Sequence, residues 1–177
     1  MELKRINSKK EAIEAKTKEL AERISRDYKG KDLLVVGVLK GSVIFASELI
    51  KNITIPCEID FMAVSSYGSS SETTGVVRIL KDLDSEISGK HILIVEDIVD
   101  SGVTLSYLLN YLKTRNASSV EIASLLTKPS RRKVDIDCKY VGFETPDEFL
   151  VGYGLDYAEK YRNLPFIGIL KREVYEK

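Results

Sequence analysis

Two hydrophobic periods alternate along this chain. Ile13, Thr17, Leu20, Ala21, Ile24 and Tyr28 recur at three- and four-residue spacing with Lys and Glu between them, which predicts an amphipathic helix. Ser8 followed by Glu11 fits a capping box at its start, and Gly30 ends it. Leu33 to Leu39 is a short, Val-rich, unbroken apolar run, the pattern of a strand buried on both faces. A Lys40-Gly41-Ser42 turn follows, then a helix-like stretch through Ile44, Phe45, Leu49 and Ile50. Cys57 to Ser66 and Gly75 to Leu80 read as strands, and the small polar residues from Tyr67 to Thr74 predict a mobile loop between them. Ile92 to Val95 is another buried strand, running directly into Glu96-Asp97 and a turn. Leu105, Leu108, Leu109 and Leu112 mark a helix, and Val120 to Leu126 a strand. Tyr140 to Phe143, Phe149 to Gly152 and Phe166 to Leu170 supply further short strands.

Buried strands alternating with helices predict an α/β fold with a mostly parallel, twisted sheet flanked by helices. The chain reads as one domain, residues 1–177, with a small C-terminal elaboration. Ligands in such sheets bind where strands end and helices begin. Function is therefore expected after Leu39, after Val95 and after Leu126.

Composition narrows the chemistry. Lys and Arg number 27, Asp and Glu 27, so the formal net charge is zero, which disfavours a surface built throughout for nucleic acid. Cys57 and Cys138 lie 81 residues apart, match no metal spacing and read as reduced thiols of a cytoplasmic protein. The N-terminus lacks an apolar signal-peptide core, and no run approaches the ~18 apolar residues of a membrane span. The single His91 stands at a strand entrance, where a structural role is expected. Acid–base chemistry then falls to a carboxylate or a Lys.

The most informative segment is Val95 to Thr104, VEDIVDSGVT. Carboxylates are costly to desolvate, so a core strand ending in Glu96-Asp97 needs a compensating ligand, such as sugar hydroxyls or a hydrated Mg²⁺. Asp100-Ser101-Gly102-Val103-Thr104 then opens a helix, where small residues, hydroxyls and backbone N–H groups make a phosphate pocket. An ordinary helix cap explains Asp100 or Ser101 alone, but not the two acids upstream. The Gly37/Gly41 region lacks the ending of a Walker A loop, and Gly152-Tyr153-Gly154 lacks the third Gly of a dinucleotide fingerprint.

Ile92 to Thr104, ILIVEDIVDSGVT, resembles the phosphoribosyl-pyrophosphate motif of the type I phosphoribosyltransferases. Other segments resemble their hypoxanthine-guanine members: VGVLKGSVIF (Val36 to Phe45) the pyrophosphate loop, and SSYG (Ser65 to Gly68) the start of the lid. SLLTK (Ser124 to Lys128), VGFETPDEFLVGYGLDY (Val141 to Tyr157) and YRNLP (Tyr161 to Pro165) resemble the purine end. The resemblance covers about residues 34–170.

It implies the fold above with a small hood from the N- and C-terminal parts and a mobile lid including Ser66 and Tyr67. Glu96 and Asp97 would hold the ribose hydroxyls and Mg²⁺, and Asp156 a second Mg²⁺. Asp100, Ser101, Gly102, Val103 and Thr104 would line the 5′-phosphate pocket, with Asp100 also acting as general base or acid at purine N7. Lys40, Gly41 and Arg162 would meet the pyrophosphate, with a cis peptide at Leu39–Lys40. Ser42 departs from the Gly the family often has there. Lys128 would donate to purine O6, Phe149 would stack on the ring, and Leu150 would offer its backbone to the base edge. An ammonium carries donors only, so Lys128 suits a 6-oxopurine and opposes the 6-amino group of adenine.

The implied activity is purine salvage: N9 of hypoxanthine or guanine displaces pyrophosphate from 5-phosphoribosyl 1-pyrophosphate, with inversion at carbon 1. The implied partners are these small molecules, with no nucleic acid or membrane, and further copies of the chain in a homodimer or homotetramer. Two alternatives stay open. One is a regulator that binds RNA or DNA through the basic run Lys128 to Lys133 and keeps the phosphoribosyl site as a sensor. The other is a transferase acting on xanthine or a pyrimidine.

Overall fold

The computed structural model describes residues 3–5, 10–66 and 76–176. In chain order the elements are β1 (Leu3–Arg5), α1 (Lys10–Asp27), β2 (Leu33–Leu39), α2 (Val43–Asn52), β3 (Glu58–Ser66) and β4 (Val77–Lys81). Then come β5 (His91–Val99), α3 (Val103–Thr114), β6 (Ser119–Thr127), a 3-10 turn (Pro129–Arg131), β7 (Tyr140–Glu144), β8 (Leu150–Val151), β9 (Gly168–Leu170) and α4 (Arg172–Tyr175). The main sheet has the order β4-β3-β2-β5-β6-β7, parallel except for β4. A second sheet, β1-β9-β8, is antiparallel and forms the hood.

The two faces of the main sheet follow from the period of two along its strands. Leu33, Val35, Leu93 and Val95 pack on one side with Ile13, Leu20 and Ile24 of α1 and Phe45 and Leu49 of α2. Leu34, Val36, Ile92 and Ile94 pack on the other with Leu105, Leu108 and Leu112 of α3. Each strand residue is thus buried by one helical layer or the other, which is why β2 and β5 read as unbroken apolar runs. The face expected of α1 (Ile13, Thr17, Leu20, Ala21, Ile24) is buried, with Tyr28 just beyond the helix.

This topology places a ligand crevice. β2 pairs with β3 on one side and β5 on the other, and the chain winds outward in both directions from that pair. The last registered β2–β5 pair is Gly37 with Val95; beyond it the strands part, as at the ligand-binding switch point of doubly wound sheets.

Several boundaries differ from expectation. β5 does not turn after Val95. It continues through Glu96 and Asp97 to Val99, because β6 goes on pairing with it as far as Val99–Thr127. The expected binding positions after Val95 and Leu126 therefore move to after Val99 and Thr127. The Phe149–Gly152 and Phe166–Leu170 strands shorten to β8 and β9, since two short strands suffice to pair Leu150 with Ile169 and Val151 with Gly168. β1 shows no sequence pattern because its three residues are set by pairing with β9. Ser8 of the capping box and the loop from Tyr67 to Thr74 lie outside the described residues.

Candidate functional site

The first group of residues surrounds the start of α3. Gly102 caps the helix with φ +84°, a left-handed conformation that favours Gly, and a Cβ there would lie 2.8 Å from Ile136 Cδ1. No side chain caps α3 in the usual way; the nearest approach is the Val103 N–H donating to Ser101 Oγ at 3.4 Å. The orphan N–H groups of the first turn thus remain available to a ligand. Beside them is a cavity of about 190 Å³ lined by Glu96, Ile98, Asp100, Ser101, Gly102 and Thr104, with Leu105 behind. Val103 supplies the first helical residue but does not line it.

Glu96 and Asp97 are consecutive near the end of β5, and their carboxyls lie close enough to share a hydrogen bond. Glu96 turns towards the α3 cavity, and Asp97 towards the loop after β2. Gly41 sits so close to Asp97 that a Cβ on it would lie 1.9 Å from Asp97 Oδ2. Burial pushes the Glu96 carboxyl up, and the neighbouring Asp97 charge adds to the effect. Burial also pushes Asp97 up, to about 6, against the pull of the Ile98 N–H and the Arg162 guanidinium. The pair therefore sits in a place where a cation or hydroxyl donors are favoured.

The same loop gathers the pyrophosphate candidates. The Leu39–Lys40 peptide is cis. Gly154 packs on Gly41 so closely that a Cβ would lie 2.0 Å from the Gly41 carbonyl oxygen. Arg162 donates to the Gly154 carbonyl at 2.8 Å and pairs with Asp156 and Glu159, each at 3.2 Å. Glu159 also pairs with Lys40 at 3.0 Å. Lys40, Gly41, Asp97, Asp156 and Arg162 are thus brought together, although about 120 residues separate the first from the last. Ser42 points away from this edge: it is fully buried, and its hydroxyl lies against Gly37 and makes no hydrogen bond.

The third group follows β6. Lys128 is only 7% exposed, and its ammonium donates to the Glu148 carbonyl at 2.6 Å. Burial lowers its pKa, and the Asp100 charge opposes that shift. Phe149 meets Tyr157 edge-on, ring centres 5.6 Å apart, and Tyr175 at 5.0 Å with a 31° tilt. Leu170 N–H donates to the Phe149 carbonyl. In an antiparallel ladder the next residue's N–H and C=O then point away from the partner strand, which leaves the Leu150 backbone directed out of the hood sheet. Arg131 lies 2.9 Å from Asp100 Oδ1 and 3.3 Å from Asp147 Oδ1.

Sequence reasoning missed Glu159, Arg131, Tyr157 and Tyr175 as site residues. Arg131 carried a usable signal, its position three residues after Lys128; the others have none without the fold. Ser66 ends β3 and Tyr67 lies outside the described residues. His91 is structural: its Nδ1 bonds Ser119 Oγ at 2.7 Å across the β5–β6 pair.

A cavity at a helix start, a buried acid pair beside it, and the Lys40–Gly41 loop at the switch point define a ligand-binding, doubly wound α/β protein. The model of the phosphoribosyl transferase domain family matches residues 7–158. A hypoxanthine-guanine phosphoribosyltransferase of Streptococcus thermophilus is 52% identical over 99% of this chain and 98% of its own length. That of Bacillus subtilis is also 52% identical, over 99% and 97%. The crystal structure of a Staphylococcus aureus hypoxanthine phosphoribosyltransferase superposes with a TM-score of 0.96 at 53% identity, covering 99% of this chain and 96% of the other. The chain belongs to the type I phosphoribosyltransferase family, in its hypoxanthine-guanine branch, and is an enzyme.

Proposed function

We propose that this chain transfers the 5-phosphoribosyl group of 5-phosphoribosyl 1-pyrophosphate to N9 of hypoxanthine or guanine, releasing pyrophosphate and the purine nucleoside 5′-monophosphate. The observation that carries the reading is the cavity shared by Glu96, Asp100, Ser101, Gly102 and Thr104, flanked by Lys128 on one side and the Lys40–Gly41 loop on the other. The 5′-phosphate takes the α3 N–H groups and the Ser101 and Thr104 hydroxyls. The ribose hydroxyls take Glu96 and Asp97. Lys40, the Gly41 backbone and Arg162 receive the pyrophosphate once Glu159 gives way. Phe149 stacks on the base, Lys128 donates to O6, the Leu150 backbone reads the base edge, and Asp100 handles the N7 proton. Ser66 and Tyr67 belong to a lid that excludes water from the cationic sugar.

Mg²⁺ suits the donors on hand. Among the described residues no group of three or more His, Cys, Asp or Glu forms a metal cluster. Glu96, Asp97 and Asp156 instead offer separate carboxylates, and Mg²⁺ is commonly bound by one or two carboxylates together with substrate phosphates. Bound there, Mg²⁺ neutralises charge on the leaving pyrophosphate. Much of the rate comes from holding the two substrates in line and from charge stabilisation by fixed donors.

The fold supports a single working unit over residues 1–177. Exposed Ile59 on β3 and Leu80 on β4 suit assembly as a homodimer or homotetramer. Among the described residues no helix is long and apolar enough to cross a membrane, and the same reading puts the enzyme in the cytoplasm.

The test is pyrophosphate release with Mg²⁺, phosphoribosyl pyrophosphate and one base at a time. Hypoxanthine and guanine are expected to release it, adenine and uracil not, and xanthine ranks the branch. Tight binding of phosphoribosyl pyrophosphate with no release from any base would replace the transferase with a sensor.

A further inference from the structure

We propose that Arg131 is a positioning residue for Asp100, and that the single turn Lys128–Arg131 sets both polar contacts to one edge of the purine. The inference rests on the assignment of Asp100 to the N7 proton made above. Arg131 Nε lies 2.9 Å from Asp100 Oδ1, while its Nη1 lies 3.3 Å from Asp147 Oδ1. A guanidinium is a rigid plane, so engaging a different carboxylate with each of two nitrogens fixes its orientation. The buried Asp100 oxygen lies against Nε as an ion pair without hydrogen-bond alignment, and that attraction restrains rotation of the carboxylate.

The turn itself is already fastened by backbone. Lys128 N–H donates to the Val99 carbonyl at 2.9 Å, and Lys133 and Val134 N–H donate to the Ser101 carbonyl at 2.9 and 3.2 Å. Arg131 N–H closes the turn on the Lys128 carbonyl at 3.1 Å. The loop therefore does not need the Arg131 side chain in order to dock, and half-exposed ion pairs add little to stability. What the side chain adds is direction. Purine O6 and N7 are neighbours on one edge of the base. Lys128 and Arg131 stand at the two ends of one turn, so the O6 donor and the holder of the N7 base move as a unit. Asp147 and the Glu148 carbonyl, consecutive in the loop that meets this turn, hold Arg131 and Lys128 respectively.

The experiment is steady-state nucleotide synthesis from hypoxanthine by R131Q, R131K and D147N, and by R131Q combined with D100N, each with its melting temperature. R131Q is expected to lower kcat about tenfold, a fraction of what general acid–base catalysis contributes, with KM for phosphoribosyl pyrophosphate and the melting temperature unchanged. R131K, one charge without the fork, is expected to recover only part, and D147N to lose less than R131Q. In the D100N background R131Q is expected to change nothing further, since both act on one group. Wild-type kcat in R131Q, full recovery in R131K, or the same fold-loss with and without Asp100 would each overturn the proposal. If D100N alone turns over at the wild-type rate, the Asp100 assignment falls and takes this inference with it. A slow D100N beside an unaffected R131Q removes the inference alone.

Discussion

Gly41 is small because Asp97 fills the space a side chain would need. A Cβ would lie 1.9 Å from Oδ2 and 2.8 Å from Cγ, and the buried carboxylate cannot move aside without cost. Gly154 meets the same loop from the other side, with φ +101° and its own Cβ position 2.0 Å from the Gly41 carbonyl. The loop proposed to meet pyrophosphate is thus held between an acid and a left-handed turn by two residues that must lack side chains. Gly41→Ala displaces the loop, and KM for phosphoribosyl pyrophosphate is expected to rise at least about tenfold, in line with the sensitivity of catalysis to small misplacements. The melting temperature should move far less. Steady-state kinetics with hypoxanthine held saturating checks it, and an unchanged KM would show that the loop does not meet that substrate. The role of Lys40-Gly41 came from resemblance to a known loop, whereas the reason for Gly41 is visible only in three dimensions. Nothing local in the sequence brings Asp97, 56 residues further on, against it.

At the scale of elements, the central strands and the three long helices were legible because β2 carries a seven-residue apolar run, β5 and β6 carry shorter ones, and the helices carry apolar stripes. The hood was not, beyond its existence. Its strands are two or three residues long, too short for any period to register, and α4 has four residues. Those short pieces nevertheless support Phe149, the residue proposed to stack on the base. Phe149, just before β8, is braced by Tyr157, whose hydroxyl donates to the Val174 carbonyl at 3.3 Å, and by Tyr175 of α4. A stacking ring held by two others loses little entropy when a base settles on it. Tyr175→Ala is expected to raise KM for hypoxanthine about three- to tenfold, the worth of an aromatic pair, and to leave KM for phosphoribosyl pyrophosphate alone. Tyr175→Phe keeps the ring and should behave as wild type. A shift in the phosphoribosyl pyrophosphate KM instead would mean that α4 braces the other end of the crevice.

For the molecule as a whole, the acid pair sets function against stability. Folding draws Glu96 and Asp97 out of water at the switch point, and both carboxyls are pushed above their ordinary range, Asp97 to about 6. Unfolded, each titrates near pH 4 (approximately). Between that value and the folded one, the unfolded chain has released protons that the folded chain still holds. The contribution of Asp97 to stability is therefore complete below about pH 4 and is lost as pH rises through about 6, and the raised Glu96 carboxyl adds a loss of the same sign. Above about pH 6 the ligand-free fold carries the buried Asp97 charge beside the raised Glu96 carboxyl, a charge that a bound cation or sugar hydroxyls would relieve further. Asp97→Asn keeps an acceptor for the Ile98 N–H but removes one charge. It is expected to melt above wild type at pH 8, to lose that advantage at pH 4.5, and to be a poor enzyme throughout. Adding Mg²⁺ with phosphoribosyl pyrophosphate should narrow the pH 8 gap, because wild type gains more from the ligands than the variant does. Thermal melts of both proteins at the two pH values, with and without the ligands, decide the matter. Asp97→Asn melting below wild type at pH 8 would mean that the charge is already well satisfied by Arg162 and the backbone, and that the site does not store a demand for its substrate.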